Sequence, residues 1–132
     1  MSSPQRIPHV EMLAVPDYQI AVHRLENPSG SGDLVLLHGA GVASELTWYP
    51  MLPKFSSYRR VFAVDLRGMG RSHALDFVDR PLQLDQLTSD LESVASAYQI
   101  VTCDLVGYSF GGLASLLWTA HAPARVQRLA LI

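Results

Sequence analysis

Two tetrapeptides in this chain, Leu34-Val35-Leu36-Leu37 and Val61-Phe62-Ala63-Val64, are apolar at every position. Cys103 to Val106 and Leu129 to Ile132 repeat the pattern, the former interrupted by Asp104. A strand with one wet face alternates apolar and polar residues. These runs do not, so each predicts a strand covered on both faces, as in a parallel sheet between helical layers. The intervening segments carry helical spacing. Ser44 to Phe55 places Trp48, Met51 and Leu52 on one side. Leu84, Leu87, Leu91, Val94 and Tyr98 form one apolar stripe, with Asp85, Asp90 and Glu92 read as its solvated face. Phe110 to His121 is apolar nearly all round, which suits a central helix, and Pro123 cannot continue it. Upstream, His9 to Val15 and Tyr18 to Leu25 read as a hairpin about Pro16-Asp17, and Asn27 to Gly32 as a loop. A hairpin followed by β-α-β-α-β-α-β predicts a layered α/β fold with right-handed crossovers.

Composition narrows the function classes. A hydrophobic share of 48% against 17% charged residues predicts a core-forming chain, and 132 residues suit one domain. Net charge is −2 and the Lys and Arg residues do not cluster, so a nucleic-acid partner is not expected. Cys103 is the only cysteine, which excludes an internal disulfide and fits a reducing compartment. The start, Met1 to Arg6, is polar and holds a proline, unlike a signal peptide. No stretch approaches the roughly 18 apolar residues of a membrane span. A cytoplasmic protein without a membrane partner is the expectation.

The sharpest chemical motif is Gly107-Tyr108-Ser109-Phe110-Gly111, a G-x-S-x-G between an apolar strand and a helix. That context is what a nucleophile elbow requires. The turn is tight, and side chains two residues before and after the serine would strike the neighbouring strand and helix. Glycine at Gly107 and Gly111 removes them, and Gly112 extends the small surface. The turn lifts the Ser109 hydroxyl to the N-terminus of the next helix, where the dipole favours negative charge. The competing explanation is a glycine-rich turn with an incidental serine.

Acyl transfer also needs donors for an oxyanion, usually two backbone N–H groups. One would come from Phe110, the residue after the serine. The other would come from the loop His38-Gly39-Ala40-Gly41 after the first apolar run, most plausibly from Ala40. Gly39 and Gly41 would let that backbone approach substrate closely.

A third motif, Asp65-Leu66-Arg67-Gly68-Met69-Gly70-Arg71-Ser72, lies between these two. The ordered set H-G-x-G, D-x-R-G-x-G-x-S and G-x-S-x-G-G resembles the α/β-hydrolase superfamily, in its ester-hydrolase and peptidase branch. The resemblance runs from the hairpin to Ile132. It implies a three-layer α/β/α hydrolase fold with a mostly parallel sheet, an N-terminal antiparallel hairpin and the spatial strand order 1-2-4-3-5-6-7-8. On that template the chain stops within strand six and is truncated there. Ser109 would be the nucleophile, Ala40 and Phe110 the oxyanion donors, and His38 a residue that shapes the loop. Asp65, Arg67 and Ser72 would brace loops.

The family's triad follows the order Ser, Asp or Glu, His. Its acid lies beyond strand six or seven and its His beyond strand eight, so neither is expected in this chain. The histidines present read as structural: His9 and His23 in the hairpin, His38 in the oxyanion loop, His73 in an exposed turn, His121 at a helix end. Asp104 begins the strand whose far end carries Ser109 and so points away from it. The resemblance implies a cofactor-free, metal-free hydrolase of a small-molecule substrate in the full-length parent, inactive as this chain alone. Self-association through the open edge of strand six is the one further partner expected.

Two alternatives stand beside this reading. One is a non-catalytic relic or binding module with the same fold. The other is a dinucleotide-binding module, since Gly39-Ala40-Gly41 follows a strand and Asp65 closes the next one. Ser44 at the third glycine position and the bulk of Trp48-Tyr49-Pro50 count against the latter. The serine at position 109 argues against a carboxylate nucleophile, as in dehalogenases and epoxide hydrolases. Ester, lactone, peptide-like and carbon–carbon bond hydrolysis all remain open.

Overall fold

The computed structural model describes residues 6–132, so most of the polar N-terminal segment read above lies outside the described residues. The hairpin is β1 (His9–Val15) and β2 (Tyr18–Glu26), paired antiparallel. Then come β3 (Asp33–Leu37), α1 (Ser44–Trp48), a 3-10 segment (Tyr49–Phe55), β4 (Arg60–Val64) and β5 (His73–Ala74). The chain continues with α2 (Leu84–Ala97), β6 (Cys103–Gly107), α3 (Phe110–His121) and β7 (Val126–Leu131). The sheet order is β1-β2-β4-β3-β6-β7, with β5 pairing beside β2. Since β6 and β7 are the family's fifth and sixth strands, the expected order is observed. β3, β4, β6 and β7 run parallel, and their C-terminal ends share one edge of the sheet.

Alternation along the strands explains the two-sided burial. Val35, Leu37, Phe62, Val64 and Leu105 enter a core under α2 and α3, with Leu87, Leu91, Ala114 and Trp118. Their neighbours Leu34, Leu36, Val61 and Ala63 enter a second core with Trp48 and Leu52. The uniformly apolar runs are therefore two half-patterns, one for each face.

Several expectations need correction. Ser44 to Phe55 is not one helix: α1 ends after five residues and a 3-10 segment follows. Pro50 and Pro53 lack the N–H that an α-helix would use there. His73 is not in an exposed turn; it pairs with Gln19 in β5, is half-buried and stacks on Phe77. Asp90 and Glu92 are not a free solvated face: Glu92 is only partly exposed and both are ion-paired. Asp90 is buried and takes a two-pronged bond from Arg67, at 2.8 Å in each arm. Glu92 accepts from Trp118 Nε1 at 2.6 Å and from Arg125 at 2.9 Å, tying α2 to α3 and to the entry of β7. Periodicity assigns a residue to a helix face, but it cannot show that a cation from a distant loop will cover that face.

Candidate active site

Two loops meet at the C-terminal edge of the sheet, where β3 and β6 lie side by side. The order reverses there, since β4 lies on one side of β3 and β6 on the other. Such a switch point opens a crevice at the strand ends. Ser109 occupies the turn between β6 and α3 with φ 53° and ψ −115°. A residue with a Cβ seldom adopts this conformation, which costs on the order of 1–3 kcal/mol and persists only when its surroundings impose it. Here the Tyr108 N–H donates to Leu37 O at 3.0 Å, and the Ser109 N–H donates to Ile132 O at 2.8 Å. The turn is thus suspended between β3 and β7.

The glycines around it divide by cause. A Cβ at Gly111 would overlap the Leu37 and His38 carbonyl oxygens, and one at Gly107 would overlap Ser115 Oγ and Gly111 O. Both positions need a bare backbone for α3 to pack on β3 and β6. Gly112 differs from the expectation, because a Cβ there would make only ordinary contacts of 3.6 Å and beyond. Gly41 is required by its φ of 74°, not by crowding. At Gly39 a Cβ would lie 3.0 Å from the Tyr108 ring and 3.4 Å from Ser109 Cβ, so the His38–Gly41 loop passes directly beside the serine. Among the described residues, no acceptor takes the N–H of Phe110 or of Ala40.

His38 is fixed by its bonds. Its Nε2 accepts the Leu66 N–H at 2.9 Å, so the proton sits on Nδ1 and is donated to Gly39 O at 2.7 Å. Burial pushes its pKa below the ordinary value, outweighing the Gly39 carbonyl and the Asp65 charge. A neutral imidazole with both nitrogens engaged is a brace for the loop and cannot also take a proton from Ser109. No hydrogen bond from any described side chain reaches Ser109 Oγ. Cys103 is no rival nucleophile, since burial, with the Asp33 and Asp104 charges, pushes its thiol up to about 12. Among the described residues no three His, Cys, Asp or Glu side chains gather to hold a metal ion.

Behind the loop lies a buried network that sequence spacing did not reveal. Asp65 Oδ1 accepts the Ser44 N–H at 3.1 Å, which fixes the start of α1. Asp65 Oδ2 accepts the Arg71 N–H at 3.1 Å and His23 Nε2–H at 3.0 Å. With that tautomer, His23 Nδ1 accepts the Tyr49 hydroxyl at 2.7 Å. Ser72 Oγ donates to Asp65 O at 2.6 Å and accepts the Ala21 N–H at 2.9 Å. Asp65 and Ser72 are thus loop braces. Arg67 is occupied with Asp90 and lies over the Tyr18 ring at 4.2 Å. Asp65 is fully buried, and burial alone would raise its pKa. The hydrogen bonds from His23, the Arg71 N–H and the Ser44 N–H reverse this and hold it at about 2.

That depression has a testable sign. The folded pKa lies below the ordinary carboxylate value, so Asp65 stabilises the fold fully above about pH 4. The contribution is lost as pH falls through about 2. At neutral pH, Asp65→Asn is expected to lower stability by about 2 kcal/mol, with the gap closing between pH 4 and pH 2. Urea midpoints of both proteins across that range measure it. An equal gap at pH 2 and pH 6 would show that charge at Asp65 contributes nothing.

Comparison with known proteins agrees with this geometry. The sequence model of the α/β hydrolase fold matches residues 33–132, so the chain belongs to the α/β-hydrolase family. It is 35% identical over 109 residues to 2-hydroxy-6-oxo-2,4-heptadienoate hydrolase of Pseudomonas putida, covering 78% of this chain and 38% of that protein. It is 32% identical to 2-hydroxymuconate semialdehyde hydrolase of Pseudomonas sp., across 100% of this chain and 46% of the relative. A pimeloyl-[acyl-carrier protein] methyl ester esterase of Photobacterium profundum is 33% identical over 76% of this chain and 36% of its own. Among solved structures, naproxen esterase from Bacillus subtilis superposes with a TM-score of 0.81 at 28% identity, over 96% of this chain and 42% of that one. The chain therefore spans less than half the length of these relatives. Its membership displaces the dinucleotide-binding alternative. Among the described residues no helix is long and apolar enough to cross a membrane.

Proposed function

We propose that this chain supplies the nucleophile and oxyanion half of a serine hydrolase acting on a carbonyl substrate. The observation that carries the reading is the conformation of Ser109, at φ 53° on a turn between strand and helix, against the loop that bears Ala40. Acyl transfer needs a serine so exposed on a strained turn, with N–H donors for the oxyanion, and the Ala40 and Phe110 N–H groups, which have no acceptor among the described residues, would supply them. Ser109 Oγ would attack the carbonyl carbon, its proton passing to a histidine. The carbonyl oxygen would become the oxyanion, held by the N–H groups of Ala40 and Phe110. Collapse of the tetrahedral adduct would expel the leaving group as it takes up the proton, and water would then release the acyl group. The family template places that histidine and its acid partner after its later strands. No cofactor enters this scheme.

The relatives' names include an esterase and a semialdehyde hydrolase, which fits attack on a carbonyl. They do not choose among ester, lactone, peptide-like and carbon–carbon bond substrates. A cytoplasmic setting belongs to the same proposal.

The test joins Ile132 to the C-terminal remainder of the hydroxymuconate semialdehyde hydrolase, which aligns with this chain throughout. The chimaera is expected to hydrolyse p-nitrophenyl acetate, and Ser109→Ala to abolish turnover while leaving the melt unchanged. A folded chimaera whose turnover survives Ser109→Ala would overturn the assignment. A folded, inactive chimaera would favour the relic or binding-module alternative.

A further inference from the structure

The loop from His38 to Ser44 carries the Ala40 N–H. Among the described residues, two hydrogen bonds tie this loop to another segment, and two consecutive residues make them. At its start, His38 Nε2 accepts the Leu66 N–H at 2.9 Å. At its end, the Ser44 N–H donates to Asp65 Oδ1 at 3.1 Å. Asp65 and Leu66 directly follow β4, a strand paired on both edges, by β2 and by β3. The Asp65 N–H donates to Ala21 O at 3.0 Å, which fixes the pair to β2 as well. Both ends of the loop therefore hang from the interior of the sheet. The 65–72 turn closes tightly over the carboxylate. A Cβ at Gly70 would fall 2.5 Å from Asp65 Oδ2 and 2.9 Å from Ala43 Cβ, and Gly70 has a φ of 56°. A bare backbone there lets the turn touch the carboxylate and the loop at once.

We propose that Asp65 is a positioning residue of the oxyanion hole: with the Leu66 N–H, its carboxylate hangs the His38–Ser44 loop by both ends and so sets where the Ala40 N–H points. The role deepens the hydrolase reading and rests on it for its functional meaning. The two oxyanion donors belong to different segments, Phe110 to the head of α3 and Ala40 to this loop. The Ser109 turn alone does not fix their convergence. Ala40 has a glycine on either side, so the backbone around it is soft and its direction is decided at the anchors. The carboxylate is a rigid anchor. Its oxygens take donors from three segments, Ser44, Arg71 and His23, so it cannot swing to follow the loop. Asp65 touches no substrate and acts through Ser44. A misplacement of about 1 Å at a reacting group can cost on the order of 10²-fold in rate, and an oxyanion donor is that sensitive.

Hydrogen exchange resolved by residue tests the clamp without substrate, in the 132-residue chain and in the chimaera. Asp65→Ala is expected to speed exchange of the Ser44 and Leu66 amides together, roughly tenfold or more, while β3 and β4 stay protected. Leu66 is the informative amide, since its partner is His38 and its release reports the loop swinging off its other anchor. Ser72→Ala is the control: it removes two buried bonds from the same turn, to Asp65 O and from the Ala21 N–H, and none to the loop. Both amides should stay protected in it. Should Asp65→Ala fail to fold, Gly70→Ala displaces the carboxylate with its charge intact and is expected to act alike. Release of Ser44 alone, with Leu66 as protected as before, would overturn the proposal, as would equal release in Ser72→Ala. In the chimaera, Asp65→Ala should lower kcat for p-nitrophenyl acetate roughly tenfold or more with KM within about threefold, and Ser72→Ala should hold kcat within about twofold. Equal losses of kcat in the two variants, or none in Asp65→Ala, would refute the positioning role. Turnover that survives Ser109→Ala defeats the hydrolase reading instead, and the clamp is then judged on exchange.

Discussion

The 132-residue chain alone is expected to hydrolyse activated esters about 10⁶-fold more slowly than an enzyme with a complete triad, and a fluorophosphonate probe to label Ser109 only slowly. A serine hydroxyl without a base is a weak nucleophile. The histidine of the neighbouring loop, His38, has one ring nitrogen bound to Gly39 O and the other to the Leu66 N–H. His23 is likewise spent on Asp65 and Tyr49. Removing a triad's histidine costs on the order of 10⁶ in kcat where it has been measured, and the remaining oxyanion hole retains about 10³–10⁴ over water. Turnover of p-nitrophenyl acetate by the chain is therefore expected about 10⁶-fold below that of the chimaera. Rapid stoichiometric labelling that disappears in Ser109→Ala would show that a base is present within these residues.

What could be read in advance follows from the range of the forces involved. The parallel strands announced themselves because burial on both faces removes the polar alternation, and β3 and β4 carry that signature at Leu34–Leu37 and Val61–Val64. The Ser109 turn was legible because its constraints are local: Gly107 and Gly111 lie two residues away, and their Cβ positions are filled by α3, β3 and each other. The strand neighbours were not legible in the motifs themselves; they came from the family that the ordered motifs resemble.

Less could be read where partners are distant in sequence. His23 and Asp65 are 42 residues apart, and nothing in either segment names the other. Glu92 looks like one more acid on an amphipathic helix until Arg125 and Trp118 arrive from α3 and beyond. The two residues of β5 are too few to show a period, and they follow Ser72, which is tied back to Asp65 and Ala21. Ile132 appeared in the sequence merely as the last apolar residue of a run. Its hold on Ser109 is a main-chain contact, which no side-chain pattern can encode.

The largest physical effect expected of the isolated chain arises at the same strand. Natural edge strands are blunted by charge, proline or cover. Along β7 only Arg128 is charged, and its guanidinium is bound to Asp104, with 2.6 Å between Nη2 and Oδ2. Leu131 is 51% exposed, and it lies 3.7 Å from where a Cβ of Gly112 would be on α3. Leu116, one turn further along that helix and on the same side, is exposed as well. Among the described residues of this chain the outer edge of β7 is unpaired, and it adjoins an apolar shoulder. If the shoulder reaches on the order of 400 Å², leaving it wet forfeits about 10 kcal/mol of burial, comparable to the net stability of a typical domain. A second copy of the chain, pairing edge to edge, can recover much of that. The chain alone is expected to sediment as concentration-dependent oligomers or to aggregate, and Leu131→Lys with Ile132→Lys to shift it toward monomer. The chimaera, whose added segments would cover β7, should be monodisperse. A monodisperse monomer of the 132-residue chain with a sharp two-state melt would refute the prediction, and would show that the β7 edge and α3 shoulder need no cover.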